Sequence, residues 1–308
     1  ARALGDWSVG LAAGLAAARR DPLDFDLVDQ VFRSVVQVPA SLLPRAPPSP
    51  RAGPLPTPSI VVVSRDDDRF AAVDVEYRRA LAAWPHQRVR IRNAVSMYDG
   101  YARGFAQGSG DIVVFSHDDV RIARDDFAAR LADALATADV VGIAGTTLVT
   151  GPSMLGAGHP HLHGAITHDA AGSRACEFGV LSLSGPRIAD AQGLDGVFPA
   201  ARRKWIERIG FDAARLDGFH FYDLDFSYRS HLAGARVAIA CDLALVHASR
   251  GTHDARYAAA QQQFAAKFPQ LAAPDSSHRH WYAMPAADPE AAAALHGKLL
   301  AAWALPPL

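Results

Sequence analysis

The residues best suited to chemistry are His117-Asp118-Asp119, which close the apolar run Ile112-Val113-Val114-Phe115. Four apolar residues followed by a carboxylate pair read as a buried strand whose C-terminal end opens into a site. Adjacent carboxylates are hard oxygen ligands of the kind that hold Mg2+ or Mn2+. A solvated turn leading to a helix near Asp125 would use the same residues without chemistry. Two further features weigh against that bland alternative: a second acidic element, Tyr222-Asp223-Leu224-Asp225, and His247 at another strand end. The His247 imidazole could complete a metal shell begun by Asp119, or be a satisfied histidine with no ligand. Asp223, in the first turn of a helix, could accept a proton, or merely complement the helix dipole for about 0.3–1 kcal/mol.

Bringing these residues together demands alternating strands and helices, the pattern of a mostly parallel sheet flanked by helices. Ser59 to Ser64 predicts a buried strand, after which Asp66-Asp67-Asp68 offer N-cap oxygens to a helix with Val73, Tyr77, Leu81 and Trp84 on one face. Arg88 to Ile91 alternates like a strand, Tyr98 to Gln107 reads as a helix, and Phe127, Leu131 and Leu135 mark another. Val140 to Ala144 and Phe178 to Leu183 read as strands. Ala200 to Ile209 reads as a helix stopped by Gly210, and Asp223 to Leu232 as one ended by Gly234. Val237 to Ala240 and Leu243 to Val246 close the sheet. Seven prolines between Pro44 and Pro58 forbid a continuous helix and favour an extended linker. The chain therefore divides into a helical appendage over 1–43, a linker over 44–58, an α/β domain over 59–252 and a helical tail over 253–308.

Composition excludes several classes. The formal net charge of -1 over 308 residues gives no bulk attraction to nucleic acid or to an anionic membrane. No apolar stretch reaches the roughly 18–20 residues of a membrane span, and Val9 to Ala18 is cut off by Arg19-Arg20. Two cysteines, Cys176 and Cys241, make neither a disulfide framework nor a metal cluster, so a reducing, cytoplasmic setting is expected, compatible with peripheral membrane association. No G-x-G-x-x-G opens a helix after a strand, which argues against a dehydrogenase. A nucleotidyltransferase would carry a glycine-rich loop after the first strand. Here Ser64-Arg65-Asp66-Asp67-Asp68 follows it, with no glycine until Gly100. His159, His161 and His163 alternate, which fits a polar surface loop better than a zinc site. Trp281-Tyr282 suits either stacking on a sugar or packing of the tail.

The ordered combination of motifs resembles the GT-A glycosyltransferases, in particular the inverting family 2-like enzymes. Val61-Val62-Val63-Ser64-Arg65 resembles the first strand of that nucleotide-binding half, and His117-Asp118-Asp119 stands where the family has Asp-x-Asp. Leu194-Asp195-Gly196 resembles the entry to the acceptor half. Tyr222-Asp223-Leu224-Asp225-Phe226-Ser227-Tyr228-Arg229 resembles the family's Glu-Asp-x-Asp-Leu-x-x-Arg helix, with Tyr222 in place of Glu. Two departures stand out. Ile91-Arg92-Asn93-Ala94 replaces the usual aspartate pair after the second strand, and Ala102-Arg103 falls where relatives have Asn before a basic or small residue. The resemblance, over roughly Ser59 to Gly251, implies an inverting hexosyltransferase with a nucleotide-sugar donor, UDP-sugar first, and a glycan or glycoconjugate acceptor. It implies Mn2+ or Mg2+ on Asp119 and His247, and donor contacts from Ser64, Arg65, Asp118 and Asp195. Asp223 would be the catalytic base, with Tyr222 and Asp225 at the acceptor. The competing expectation is a non-catalytic module of the same fold that binds a nucleotide or glycan within a larger assembly.

Overall fold

The computed structural model describes residues 2–43, 56–169, 175–249 and 254–305, with side chains from Trp7 onward. Most of the expected linker, residues 44–55, lies outside the described residues. Two helices come first, α1 (Arg2–Arg20) and α2 (Phe25–Gln37), the second capped by Asp24, which accepts from the Leu27 amide. Their apolar faces, including Leu15, Phe32 and Val35, join the main hydrophobic core.

β1 (Pro58–Val63), α3 (Asp67–Ala80), β2 (Gln87–Ile91), α4 (Met97–Gln107) and β3 (Ile112–Ser116) then alternate, and the three strands pair in parallel with β1 in the middle. Successive strand side chains point to opposite faces. Val61, Val113 and Phe115 therefore enter one core, while Ile60, Val62 and Val114 enter the other beneath α3. Asp66 caps α3 by accepting from the Asp68 and Arg69 amides. Gly104 allows α4 to lie directly on β1, since a Cβ there would run into the Val61 side chain.

The chain continues through β4 (Val120–Ile122), α5 (Phe127–Thr137), β5 (Val140–Gly142), β6 (Ala144–Thr146), β7 (Leu162–Asp169), β8 (Cys176–Val180), β9 (Arg187–Ile188), β10 (Gly193–Leu194) and β11 (Ala200–Arg202). It ends with α6 (Arg203–Ile209), α7 (Tyr222–Leu232), β12 (Val237–Ala240), β13 (Leu245–His247), α8 (Ala255–Lys267), β14 (Tyr282–Ala286) and α9 (Pro289–Trp303). One sheet has the order β2-β1-β3-β11-β5-β12-β9 and a second the order β10-β6-β7-β13-β4, with β8 paired to β7 and β14 to β8. No helix among the described residues is long and apolar enough to cross a membrane. Both cysteines are free and buried.

Three expectations need correction. Val140 to Ala144 is not one strand: the chain changes sheets at Ile143, leaving β5 in the first sheet and β6 in the second. Ala200 to Arg202, expected as the start of a helix, forms β11, antiparallel to both β3 and β5. The slot between those strands has backbone groups to satisfy, which outweighs the helical preference of two alanines. The histidines of the Gly158–His163 segment do not form a polar surface loop, since His159 and His163 are buried. His163 Nδ1 lies 2.8 Å from Ser182 Oγ, and His159 Nε2 lies 3.0 Å from the His280 carbonyl. Trp281 packs over Gly179 and donates to Glu177, so its ring is a tail anchor. The tail and the N-terminal helices also meet, with Trp303 and Arg19 both donating to the Leu183 carbonyl.

Beneath α7 lies a buried ionic cluster. Asp225 is fully buried and pairs with Arg229 at 2.9 Å and with Lys267 at 2.6 Å, and Lys267 also meets Asp212 at 2.7 Å. Tyr98 donates its hydroxyl to the same carboxylate. Asp225→Asn would leave the part-buried Arg229 without its carboxylate and Lys267 with Asp212 alone, and breaking a buried pair costs about 3–5 kcal/mol. Urea unfolding is expected to show a loss of that order, whereas a neutral result would mean that the cluster repacks freely.

Candidate functional site

The C-terminal ends of β1, β2 and β3 share one edge because the three strands are parallel. That edge carries Ser64-Arg65, Arg92-Asn93 and His117-Asp118-Asp119. After His117-Asp118-Asp119 the chain leaves the first sheet and enters the second as β4, which pairs antiparallel with β13 and sets His247 opposite Val120. The Ala248 amide donates to the Asp119 carbonyl at 3.0 Å and fixes the two ends together. From the other side, the His117 amide donates to the Val197 carbonyl and the Phe115 amide to the Pro199 carbonyl, drawing the Asp195-Gly196 turn alongside.

Three side chains converge at this junction. His247 Nε2 lies 3.2 Å from Asp119 Oδ1 and 3.1 Å from His117 Nδ1, and His117 Nδ1 lies 4.0 Å from Asp119 Oδ1. The ligand atoms of His117, Asp119 and His247 all fall within 4.8 Å of one another, and among the described residues they are the one group able to hold a metal ion. The donors suit a divalent cation: two imidazole nitrogens and a carboxylate oxygen facing one point. Burial alone would raise the Asp119 carboxyl, but its hydrogen bond with His247 and the neighbouring imidazoles hold it well below the usual carboxylate range. Burial and the adjacent His247 lower the His117 pKa, favouring the neutral ring that a metal needs. The sequence reading placed Asp119 and His247 here and missed His117. Its signal was available, because an imidazole is a ligand type and it opens the motif at the strand end.

Asp223 lies beside the same junction. It is partly buried at the start of α7, where a Cβ on Gly196 would fall 2.8 Å from its Oδ2. Burial, and then the charge of Asp195, push its carboxyl up to about 7. Asp195 also accepts from the Val197 amide at 3.0 Å, which holds the turn. α7 is docked by Ser227, whose hydroxyl accepts from the Leu194 amide at 2.9 Å. Tyr222 is buried, with its hydroxyl 2.8 Å from His117 Nε2 and 3.2 Å from the Gly196 carbonyl.

Other expected site residues are placed less favourably. Ser64 is buried, its hydroxyl donates to the Asp66 carbonyl and its amide to the Ile91 carbonyl, so both of its protons are committed within the fold. Arg65 reaches across to the Ala94 carbonyl, and Arg103 donates to Asn93, so two arginines brace the turn after β2 where the family's aspartates are absent. Asp118 remains partly exposed, 3.8 Å from Arg69. Asp225 is fully buried among cations, which removes it from any acceptor.

A profile of a glycosyltransferase-like family matches residues 60–268, and the chain belongs to that family. Its architecture is the GT-A one, with the parallel strands and their acidic edge in the matched region. A search among proteins of curated function finds no match. Among solved structures, a mannosyltransferase from Pyrobaculum calidifontis in complex with GDP-Man and Mn2+ is 16% identical over 87% of this chain and 79% of its own, with a TM-score of 0.43. TarS 1–349 of S. aureus in complex with UDP-GlcNAc is 11% identical over 72% of this chain and 68% of its own, with a TM-score of 0.41. Likeness at that level is distant, and the family assignment stands on the profile match.

Asp119→Ala removes the one carboxylate among the three converging ligand atoms. Direct titration with Mn2+ is expected to show binding in the unaltered chain and none in the variant, with the circular dichroism of the two superimposable. Retained Mn2+ affinity in Asp119→Ala would mean that the ion sits elsewhere.

Proposed function

We propose that the chain is a metal-dependent, inverting glycosyltransferase of hexosyl type. It would move a sugar from a nucleoside-diphosphate donor, UDP-sugar favoured, to a hydroxyl of a glycan or glycoconjugate. The observation that carries this reading is the Asp223 carboxyl, raised to about 7 and set next to a cluster suited to a divalent ion. A base works best when its pKa lies near the operating pH, because it must be ionised and still want the proton.

In the proposed reaction the acceptor oxygen attacks the anomeric carbon, the bond to the diphosphate breaks, and the acceptor proton passes to Asp223. Attack from the face opposite the leaving group inverts the anomeric centre. Mn2+ or Mg2+ on Asp119 and His247 would neutralise the charge that the departing diphosphate gains. The donor would lie between the turn after β1 and the His117–Asp119 turn, against Arg65, Asp118 and Asp195. Tyr222, expected at the acceptor, is buried with its hydroxyl between His117 and the Gly196 carbonyl, so it is not assigned to the acceptor.

Three measurements test this. UDP with Mn2+ is expected to raise the melting temperature, since saturation at 100 times Kd adds about 2.7 kcal/mol; no shift with any nucleoside diphosphate would count against the donor. Asp223→Asn should lose about 10²–10⁴ in turnover while still binding nucleotide. The pH profile has a defined sign. A raised carboxyl pKa leaves Asp223 protonated and inert below about 7, so kcat/KM should rise with pH through that value and then level off. Release of no diphosphate by the unaltered chain from any nucleotide-sugar, with intact nucleotide binding, would favour the non-catalytic reading.

A further inference from the structure

Two departures from the family pattern, His117 in place of the first aspartate and Tyr222 in place of glutamate, lie far apart in the chain, yet their side chains touch. His117 Nε2 is 2.8 Å from the Tyr222 hydroxyl. Building on the metal-dependent reading above, we propose that His117 is a third ligand of the divalent ion. Tyr222 is then the positioning residue that fixes the His117 tautomer, and the site takes a first-row transition ion in preference to Mg2+.

The argument is one of counting protons. The Gly196 carbonyl, 3.2 Å from the Tyr222 hydroxyl, can take that hydroxyl's single proton and leave the Tyr222 oxygen free to accept. In the proposed arrangement the Tyr222 oxygen, 2.8 Å away, accepts from His117, which puts the imidazole proton on Nε2. Nδ1 is left as a bare lone pair, and it is the atom that faces His247 Nε2 at 3.1 Å and Asp119 Oδ1 at 4.0 Å. Gly196 is part of the device, because a Cβ there would crowd both the Tyr222 hydroxyl and the Asp223 carboxylate. His247 has no such support, since its Nδ1 is buried without a hydrogen-bond partner. His117 is therefore the better oriented of the two imidazoles.

The ligand count decides the ion. Mg2+ prefers oxygen ligands in a near-octahedral shell and keeps several waters. Two imidazoles with one carboxylate suit Mn2+, Co2+ or Zn2+ better, imidazole being the softer ligand. A hydrogen-bond partner that orients a ligating histidine contributes about 10–100-fold to metal affinity. Tyr222 would thereby couple the metal end of the site to α7, whose next residue is Asp223.

The test is direct ion binding without turnover. The unaltered chain, Tyr222→Phe, His117→Asp and Asp119→Ala are titrated with Mn2+ and with Mg2+, and pulsed EPR of the Mn2+-loaded chains counts coupled imidazole nitrogens. The unaltered chain should favour Mn2+ and show two histidine couplings. Tyr222→Phe should weaken Mn2+ binding about 10–100-fold and leave Mg2+ binding unmoved. His117→Asp should show one coupling and bring the two ions closer in affinity, so the test survives if the tyrosine variant folds poorly. Equal affinity for both ions in the unaltered chain, or one histidine coupling there, would overturn the proposal. If Mn2+ binding depends on Asp119 but is unmoved in both Tyr222→Phe and His117→Asp, this inference fails and the metal-dependent reading stands. If the unaltered chain binds neither ion, with or without UDP, both fail.

Discussion

Everything at the site depends on where the chain leaves one sheet for the other. β3 belongs to the first, mixed sheet and β4 to the second, and only His117, Asp118 and Asp119 lie between them. A three-residue crossing leaves little conformational freedom, because both flanking strands are pinned by ladder hydrogen bonds and buried on their apolar sides. The side chains of the crossing must therefore project into the gap between the sheets. β13 enters that gap from the second sheet with His247, and the Asp195-Gly196 turn borders it from the other side. The clustering of imidazoles and carboxylates is a consequence of that geometry. The imidazoles hold Asp119 well down against its burial, while burial and then the charge of Asp195 push Asp223 up to about 7.

A carboxylate raised to near neutrality and a salt-bridged one occupy the same helix two residues apart, with opposite fates. Asp223 meets another acid and a partly dry surface, so its charge is disfavoured. Asp225 turns into the core, where Arg229, Lys267 and the Tyr98 hydroxyl surround it. The helix period accounts for the difference: a step of two residues rotates a side chain about 200°, from the cleft to the buried face. The ionic cluster thus anchors the helix that presents Asp223, and α8 contributes through Lys267. The C-terminal segment that carries α8 is in this way part of the support for the proposed chemistry.

Much of the frame was legible because the signals were local. Continuous apolar runs marked β1 and β3, aspartates capped α2 and α3, and glycines closed α6 and the turn after α7. Short strands carried no such signal. β4, β9, β10 and β11 have two or three residues each, and their pairing partners lie far away in sequence. The histidines at 159 and 163 look polar in isolation and are buried because Ser182 and the His280 carbonyl meet them in three dimensions.

The sequence by itself determined the alternation of strands and helices and the carboxylate pair at the end of β3, because residue type and period suffice for those; the β4–β13 register then set His247 beside Asp119. Only the tertiary structure decided that His117 faces the same point, that Tyr222 holds its far nitrogen, that Ser64 is used up by its own turn, and that Asp225 is sealed away. Each of these depends on which of a side chain's polar atoms finds a partner from a distant segment. Such a match is set by strand register and helix docking, to within a few tenths of an ångström, and the order of residues along the chain does not encode it locally.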